Sequence, residues 1–180
     1  MKIKDKEFKI FFSEGEIATV VERLAGEVSR DYAGDNLLVC PILTGAFVFA
    51  ADLVRRLTVG CEVNFVRYTS YRGMSSTGEV KCMLPFPREV EGRDVLIVED
   101  VVDSGLSMKE MLRSVWALNP RSVRICTLFF KPGAFKGDYK VDYVGREIGD
   151  EFIVGYGMDY DEEGRCLKDV WVVEELRIKN

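Results

Sequence analysis

"VLIVEDVVDSGLSM", residues 95–108, decides the architecture. "VLIVED" (95–100) reads as a strand whose apolar run, Val95, Leu96, Ile97 and Val98, stops at two adjacent acids, Glu99 and Asp100. Two more apolar residues follow, and then Asp103, Ser104, Gly105, Leu106 and Ser107 lead into a helical pattern. Ligands of open α/β sheets sit beyond the carboxyl ends of strands, which is where these acids fall. Gly105 permits a left-handed backbone, successive N–H groups can form an anion nest, and a helix N-terminus adds partial positive charge. Ser104 and Ser107 could donate hydroxyls to the same anion. The segment therefore reads as a pocket for one phosphate, with Glu99 and Asp100 beside it suited to sugar hydroxyls or a hydrated magnesium ion. The plainer alternative is that Asp103 and Ser104 only cap a helix. That alternative leaves the acidic pair unexplained, because a strand end would bury two repelling charges without a partner.

Outward from this unit the chain alternates strand and helix. Residues 13–32 read as a helix in which Ser13 and Glu16 have capping-box spacing and Ile17, Val20, Val21, Leu24 and Val28 share one face. "NLLVCPIL" (36–43) reads as a strand and "GAFVFAADLVRRL" (45–57) as the following helix, with Arg55 and Arg56 near its end. "EVNFVRY" (62–68) alternates as one strand, and "TSYRGMSSTGEV" (69–80) reads as a long loop. After the central unit, 105–118 is a helix, 122–131 a strand, and "DYVG" (142–145) and "EFIVGYGMDY" (151–160) shorter strands. The pattern predicts a single α/β domain with a mostly parallel twisted sheet covered on both faces.

The chain has 180 residues, a net charge of −5 and no histidine. Without histidine there is no Ser-His-Asp triad, no H-E-x-x-H zinc site and no imidazole base, so a general base must be a carboxylate or an unusual lysine. The acidic balance argues against a nucleic-acid surface. The five cysteines are scattered without a C-x-x-C pair and read as reduced thiols. Residues 1–16 lack the apolar run of a signal peptide, and no window reaches membrane-span length, so a cytoplasmic protein is expected.

The segment 95–108 resembles the phosphoribosyl-pyrophosphate (PRPP) motif of type I phosphoribosyltransferases of the hypoxanthine-guanine branch. Other segments match in chain order: "ILTGAFVFAADLVR" (42–55) resembles the family's pyrophosphate turn and helix, "YTSYRGMSSTGEV" (68–80) its lid, and "LFFK" (128–131) with "EFIVGYGMDYDEEGRCL" (151–167) its purine-binding hood. The resemblance implies the type I phosphoribosyltransferase fold in one domain over 1–180, with a core of about 13–145 and a hood formed by the N-terminal strand region and about 146–180. It implies purine salvage, with magnesium-dependent transfer of phosphoribosyl from PRPP to N9 of a 6-oxopurine, yielding IMP or GMP and pyrophosphate.

By the same resemblance Glu99 and Asp100 hold the ribose hydroxyls, 103–107 the 5-phosphate, and Asp103 serves as general base, which apolar surroundings or a neighbouring carboxylate would tune. Leu43, Thr44 and Gly45 bind pyrophosphate through backbone amides, with Arg165 as a cation; Glu99, Asp100 and Asp159 contact magnesium. Lys131 faces the purine 6-oxo group, Phe152 stacks on the ring, Ile153 bonds it through its backbone and Asp159 belongs to the same purine-side segment; Ser70 and Tyr71 belong to the lid. Plain readings stand beside these: Phe152 and Ile153 as core strand, Lys131 as a solvated strand end, Arg165 as a surface ion pair. One departure is Thr44, where the family commonly has lysine, and serine at 104 and 107 replaces the common threonine. A family cis peptide before residue 44 is expected only by analogy. Dimers or tetramers are implied, with 47–57 as an interface candidate that core burial explains equally well. A xanthine-preferring transferase or a nucleotide-sensing regulator on the same fold are the alternatives; a phospho-receiver domain is disfavoured because its acids lie on the first strand.

Overall fold

Ser13 and Glu16 form the capping box that their spacing predicts: Ser13 N–H donates to Glu16 Oε2 at 3.0 Å, and Glu16 N–H donates to Ser13 Oγ at 3.4 Å. Helix α1 (Glu14–Asp31) begins there and buries Ile17, Val21, Leu24, Ala25 and Val28 on one face. In the computed structural model, residues 1–33, 36–70 and 80–174 are described. Two short strands, β1 (Lys2–Ile3) and β2 (Lys6–Phe12), precede α1. After it come β3 (Leu37–Pro41), α2 (Phe47–Val54), β4 (Cys61–Val63), β5 (Arg67–Ser70), β6 (Val80–Leu84), β7 (Asp94–Val102) and α3 (Leu106–Trp116). The chain closes with β8 (Ser122–Phe130), β9 (Tyr143–Glu147), β10 (Ile153–Val154) and β11 (Val170–Val173).

Five strands form a parallel sheet in the order β4-β3-β7-β8-β9. Side-chain alternation divides its core. Leu37, Val39, Leu96 and Val98 join α1 and α2 in one apolar cluster, while Leu38, Cys40, Val95 and Ile97 join Met108, Met111 and Val115 of α3 in another. The chain leaves β3 through α2 towards one edge and leaves β7 through α3 towards the other. Right-handed crossovers then require α2 and α3 on opposite faces, so the strand order reverses between β3 and β7. A crevice opens outside the carboxyl ends of those two strands.

Four readings are corrected by this arrangement. The central strand does not end at Asp100: β3 pairs with β7 only as far as Pro41 opposite Val98, but β8 continues the ladder to Phe130 opposite Val102. Glu99 and Asp100 therefore stand on a strand with one neighbour lost. Residues 62–68 are not one strand: β4 ends at Val63, Val66 still bridges Ile42 in parallel, and from Arg67 the chain pairs antiparallel with β6 as β5. In the segment 151–160 only Ile153 and Val154 are strand; positive φ at Gly155, Tyr156 and Gly157 turns the rest. Helix α2 begins at Phe47 and ends at Val54, with Gly45 and Ala46 left in the preceding loop and Arg55 and Arg56 beyond it. A second, antiparallel sheet in the order β1-β2-β11-β10 joins the two ends of the chain, and its strand β11 was absent from the sequence pattern. Among the described residues no helix is long and apolar enough to cross a membrane.

Candidate active site

At the crevice, Glu99 and Asp100 turn towards each other through the backbone. Asp100 N–H donates to Glu99 Oε1 at 3.1 Å, and Val101 N–H donates to Asp100 Oδ1 at 2.8 Å. Burial first, and then the adjacent Asp100 carboxylate, push the Glu99 carboxyl well above the ordinary glutamate range. Glu99 thus stays protonated where an isolated carboxyl would not. The turn that follows is not a side-chain cap. Gly105 is the N-cap residue of α3, at φ 74° and ψ 2°, and supplies no side-chain cap. The N-cap position is thus Gly105 and neither Asp103 nor Ser104, and the start of α3 carries backbone N–H groups and partial positive charge that the helix does not satisfy internally. Glu99, Asp103, Ser104, Gly105 and Ser107 line a cavity of about 190 Å³ over this turn.

The loop after β3 closes the other side. Leu43 N–H donates to Val66 O at 2.8 Å, Thr44 is exposed, and the Leu43-Thr44 peptide is cis. Gly45 lies close against Asp100: a Cβ there would overlap the Asp100 carboxylate as it is placed. A Cβ at Gly157 would in turn overlap the Gly45 carbonyl oxygen. Gly157 O accepts from Arg165 Nη1 at 3.0 Å, and Arg165 Nη2 lies 2.9 Å from Asp159 Oδ1 and 2.9 Å from Glu162 Oε2. One continuous chain of contacts thus links Asp100, Gly45, Gly157, Arg165 and Asp159. Gly157 was not singled out in the sequence, where its only signal is the glycine-rich "GYG" of residues 155–157.

Lys131 is nearly buried, with its side chain 12% exposed, and its Nζ lies 3.7 Å from Oδ2 of Asp103, which is 59% exposed. It is no solvated strand end. Asp103 has this ammonium as its charged neighbour, in place of the apolar surroundings or second carboxylate that the sequence led us to expect. Phe152 is not core: it is 47% exposed and meets Tyr160 edge to face at 5.7 Å. Ile153 is buried and pairs with Val172. Ile148 N–H donates to Phe130 O at 2.9 Å, so the chain leading to Phe152 starts beside the one leading to Lys131. Ser70 ends β5, and Tyr71 lies outside the described residues. Arg165 is 20% exposed and bonded to backbone as well as carboxylate, more than a surface ion pair.

Among the described residues no three carboxylate or thiol groups lie together as a metal cage. Glu99, Asp100 and Asp159 are therefore not a preformed set of three. All five cysteines are free, and burial pushes the Cys40 thiol up to about 12.

Comparison with known proteins follows this geometry. The family model of the phosphoribosyl transferase domain matches residues 10–161. A hypoxanthine-guanine phosphoribosyltransferase of Aquifex aeolicus is 37% identical over 176 residues, 97% of this chain and 99% of that protein. One from Bacillus subtilis is 38% identical over 167 residues, 92% of this chain and 93% of its own. The crystal structure of a hypoxanthine-guanine phosphoribosyltransferase from Bacillus anthracis superposes with a TM-score of 0.87 at 36% identity, covering 96% of this chain and 100% of that one.

Proposed function

The chain belongs to the phosphoribosyl transferase family, among the purine-salvage enzymes of its hypoxanthine-guanine branch, and from that premise we propose that it transfers phosphoribosyl from PRPP to N9 of hypoxanthine or guanine. The observation that carries this reading is the uncapped start of α3 at the switch between β3 and β7, directly after the acidic pair on β7. A phosphate belongs at such a helix terminus, and a ribose attached to it reaches Glu99 and Asp100.

In this reading the amides of 103–107 hold the 5-phosphate, and Glu99 and Asp100 receive the ribose hydroxyls. Leu43, Thr44 and Gly45 present backbone to the pyrophosphate, with Arg165 as the cation. Pyrophosphate departs from C1 with the bonding electrons, positive charge develops at C1, and the purine nitrogen attacks from the opposite face. Asp103 takes the proton that the purine must lose. Positioning and charge stabilisation carry most of the acceleration, because the chain supplies no covalent nucleophile in this scheme. Lys131 donates to a 6-oxo group and would meet a second donor in the amino group of adenine. Phe152 offers its exposed ring to the purine, and Ile153 its backbone.

The donor set of Asp100, Asp159 and Glu99 is hard oxygen, which fits magnesium. That ion needs only one or two carboxylates and takes its other ligands from phosphates and water, so the lack of a three-residue cage is compatible with it. When bound, magnesium supplies charge neutralisation at the leaving pyrophosphate. A cytoplasmic enzyme assembled as a homodimer or homotetramer is the corresponding proposal for its state; Phe47 at the start of α2, 39% exposed, is available to such an interface, whereas Phe49, Ala50 and Leu53 are used in the core.

The test is pyrophosphate release from PRPP and magnesium with hypoxanthine, guanine, xanthine or adenine, with and without chelator. Turnover with the first two and none with adenine is expected, and Asp103→Asn should lower kcat by roughly 10²–10⁴. PRPP binding without turnover on any purine would replace the enzyme reading with a nucleotide sensor, and a dominant xanthine rate would change the subtype.

A further inference from the structure

The turn that begins α3 is held from behind by a single segment, residues 131–139. Lys131 N–H donates to Val102 O at 3.0 Å, Lys136 N–H to Ser104 O at 3.0 Å, and the Tyr139 hydroxyl to Gly105 O at 2.9 Å. Three carbonyls of the stretch 102–105 are thereby tied to one segment, and Gly105 O accepts the Lys109 N–H of α3 at 3.2 Å as well. The same segment adds packing: Phe135 meets Tyr139 edge to face at 5.2 Å and Phe130 at 5.1 Å. Both aromatic rings press on Gly105, where a Cβ would stand 2.5 Å from Tyr139 Oη and 2.6 Å from Phe135 Cε2. Lys109 of α3 closes the clasp outside by pairing with Asp138 at 2.9 Å.

A peptide whose carbonyl is tied to one side presents the next N–H to the other, because the two groups of a planar peptide point in opposite directions. Fixing the carbonyls of Val102, Ser104 and Gly105 therefore fixes the direction of the Asp103, Gly105 and Leu106 amides, in the turn whose residues line the cavity. Binding an anion with amides that are already aimed avoids the ordering cost of collecting them from a mobile loop. Resting on the function proposed above, we infer that Tyr139 is a positioning residue for the 5-phosphate cradle, acting through the Gly105 carbonyl without touching the substrate. Burial above all pushes the Tyr139 phenol above its ordinary range, so its hydroxyl remains a donor throughout the working pH range. The segment starts at Lys131, so the purine-facing ammonium and the phosphate-facing amides share one support.

Tyr139→Phe removes the hydroxyl and keeps the ring. Equilibrium binding of two probes, ribose 5-phosphate and magnesium pyrophosphate, separates a positioning role from a structural one. We expect ribose 5-phosphate affinity to fall about tenfold, as loss of one hydrogen bond would give, with pyrophosphate affinity within about twofold of the parent. In turnover the KM for PRPP should rise while kcat and the KM for hypoxanthine hold. Phe135→Leu, which keeps the hydroxyl and loosens its support, should move the same constants in the same direction by less. Unchanged ribose 5-phosphate binding, or an equal loss for both probes in either variant, would overturn the inference. Absence of turnover in the parent protein would count against the transferase reading alone, since the ribose 5-phosphate measurement judges the clasp without any reaction.

Discussion

Glu99 carries a cost before any ligand arrives. Its carboxyl is partly buried beside Asp100 and holds its proton well above the ordinary value of 4.5. Between that value and the folded-state value the folded chain binds more protons than the unfolded chain. Stability therefore falls as pH rises through this window, the opposite of a paired carboxylate. No histidine titrates here to obscure the effect. Glu99→Gln should make the ligand-free protein more resistant to urea at neutral pH, and should flatten its stability as pH rises above the ordinary glutamate range. The expected difference grows by up to about 1.4 kcal/mol for each pH unit crossed. Parallel pH curves for the two proteins would show that Glu99 pays no such penalty. The sign links stability to function: an acidic pair that repels in the empty crevice is relieved by the hydroxyls or cation it is placed to receive.

At the scale of elements, the 43–45 loop, strand β7 and the 155–165 turns meet through atoms, not through sequence proximity. Gly45→Ala puts a methyl group where the Asp100 carboxylate lies, and either that side chain or the loop must move. Overpacking of this kind costs about 1–3 kcal/mol, and calorimetry should show that loss in magnesium pyrophosphate binding. Affinity equal to the parent's would mean the loop is not part of the pyrophosphate site. This contact chain also marks what was readable beforehand. The Ser13–Glu16 box, the 95–98 run and the 103–107 turn declare themselves because their signals are local, within a few residues along the chain. The approach of Gly157 to Gly45, and the Tyr139 bond to Gly105, join segments far apart and leave no pattern in either one. Glycines that serve close approach look the same in sequence as glycines that serve a turn, and the strand predicted over 151–160 failed for that reason. The β2–β11 pairing, Lys9 opposite Val172, was likewise hidden because its partners lie at opposite ends of the chain.

For the whole molecule, the question is whether the antiparallel sheet is a separate unit. Its residues Phe12, Ile153, Val170 and Val172 belong to the same apolar cluster as Leu96, Val98 and Leu128 of the parallel sheet. Removing the small sheet would expose that shared face, and burial of apolar area at about 25 cal/mol per Å² makes independent unfolding costly. We therefore propose one cooperative unit over residues 1–180, with the hood and core as regions of it. The two tryptophans allow a direct check, because Trp116 sits half exposed at the end of α3 and Trp171 lies on β11 beside Ile3, Phe8 and Val154. Among the described residues Trp171 Nε1 has no hydrogen-bond partner, so replacing this residue with phenylalanine forfeits no bond. Trp116→Phe and Trp171→Phe each leave one fluorescent reporter, the first in the hood and the second in the core. Denaturation curves from both reporters and from far-ultraviolet circular dichroism should share one midpoint after correction for each variant's own stability. A hood reporter that melts earlier than the circular dichroism signal of the same protein would divide the molecule into two units, and the purine side of the site would then open without unfolding the phosphate side.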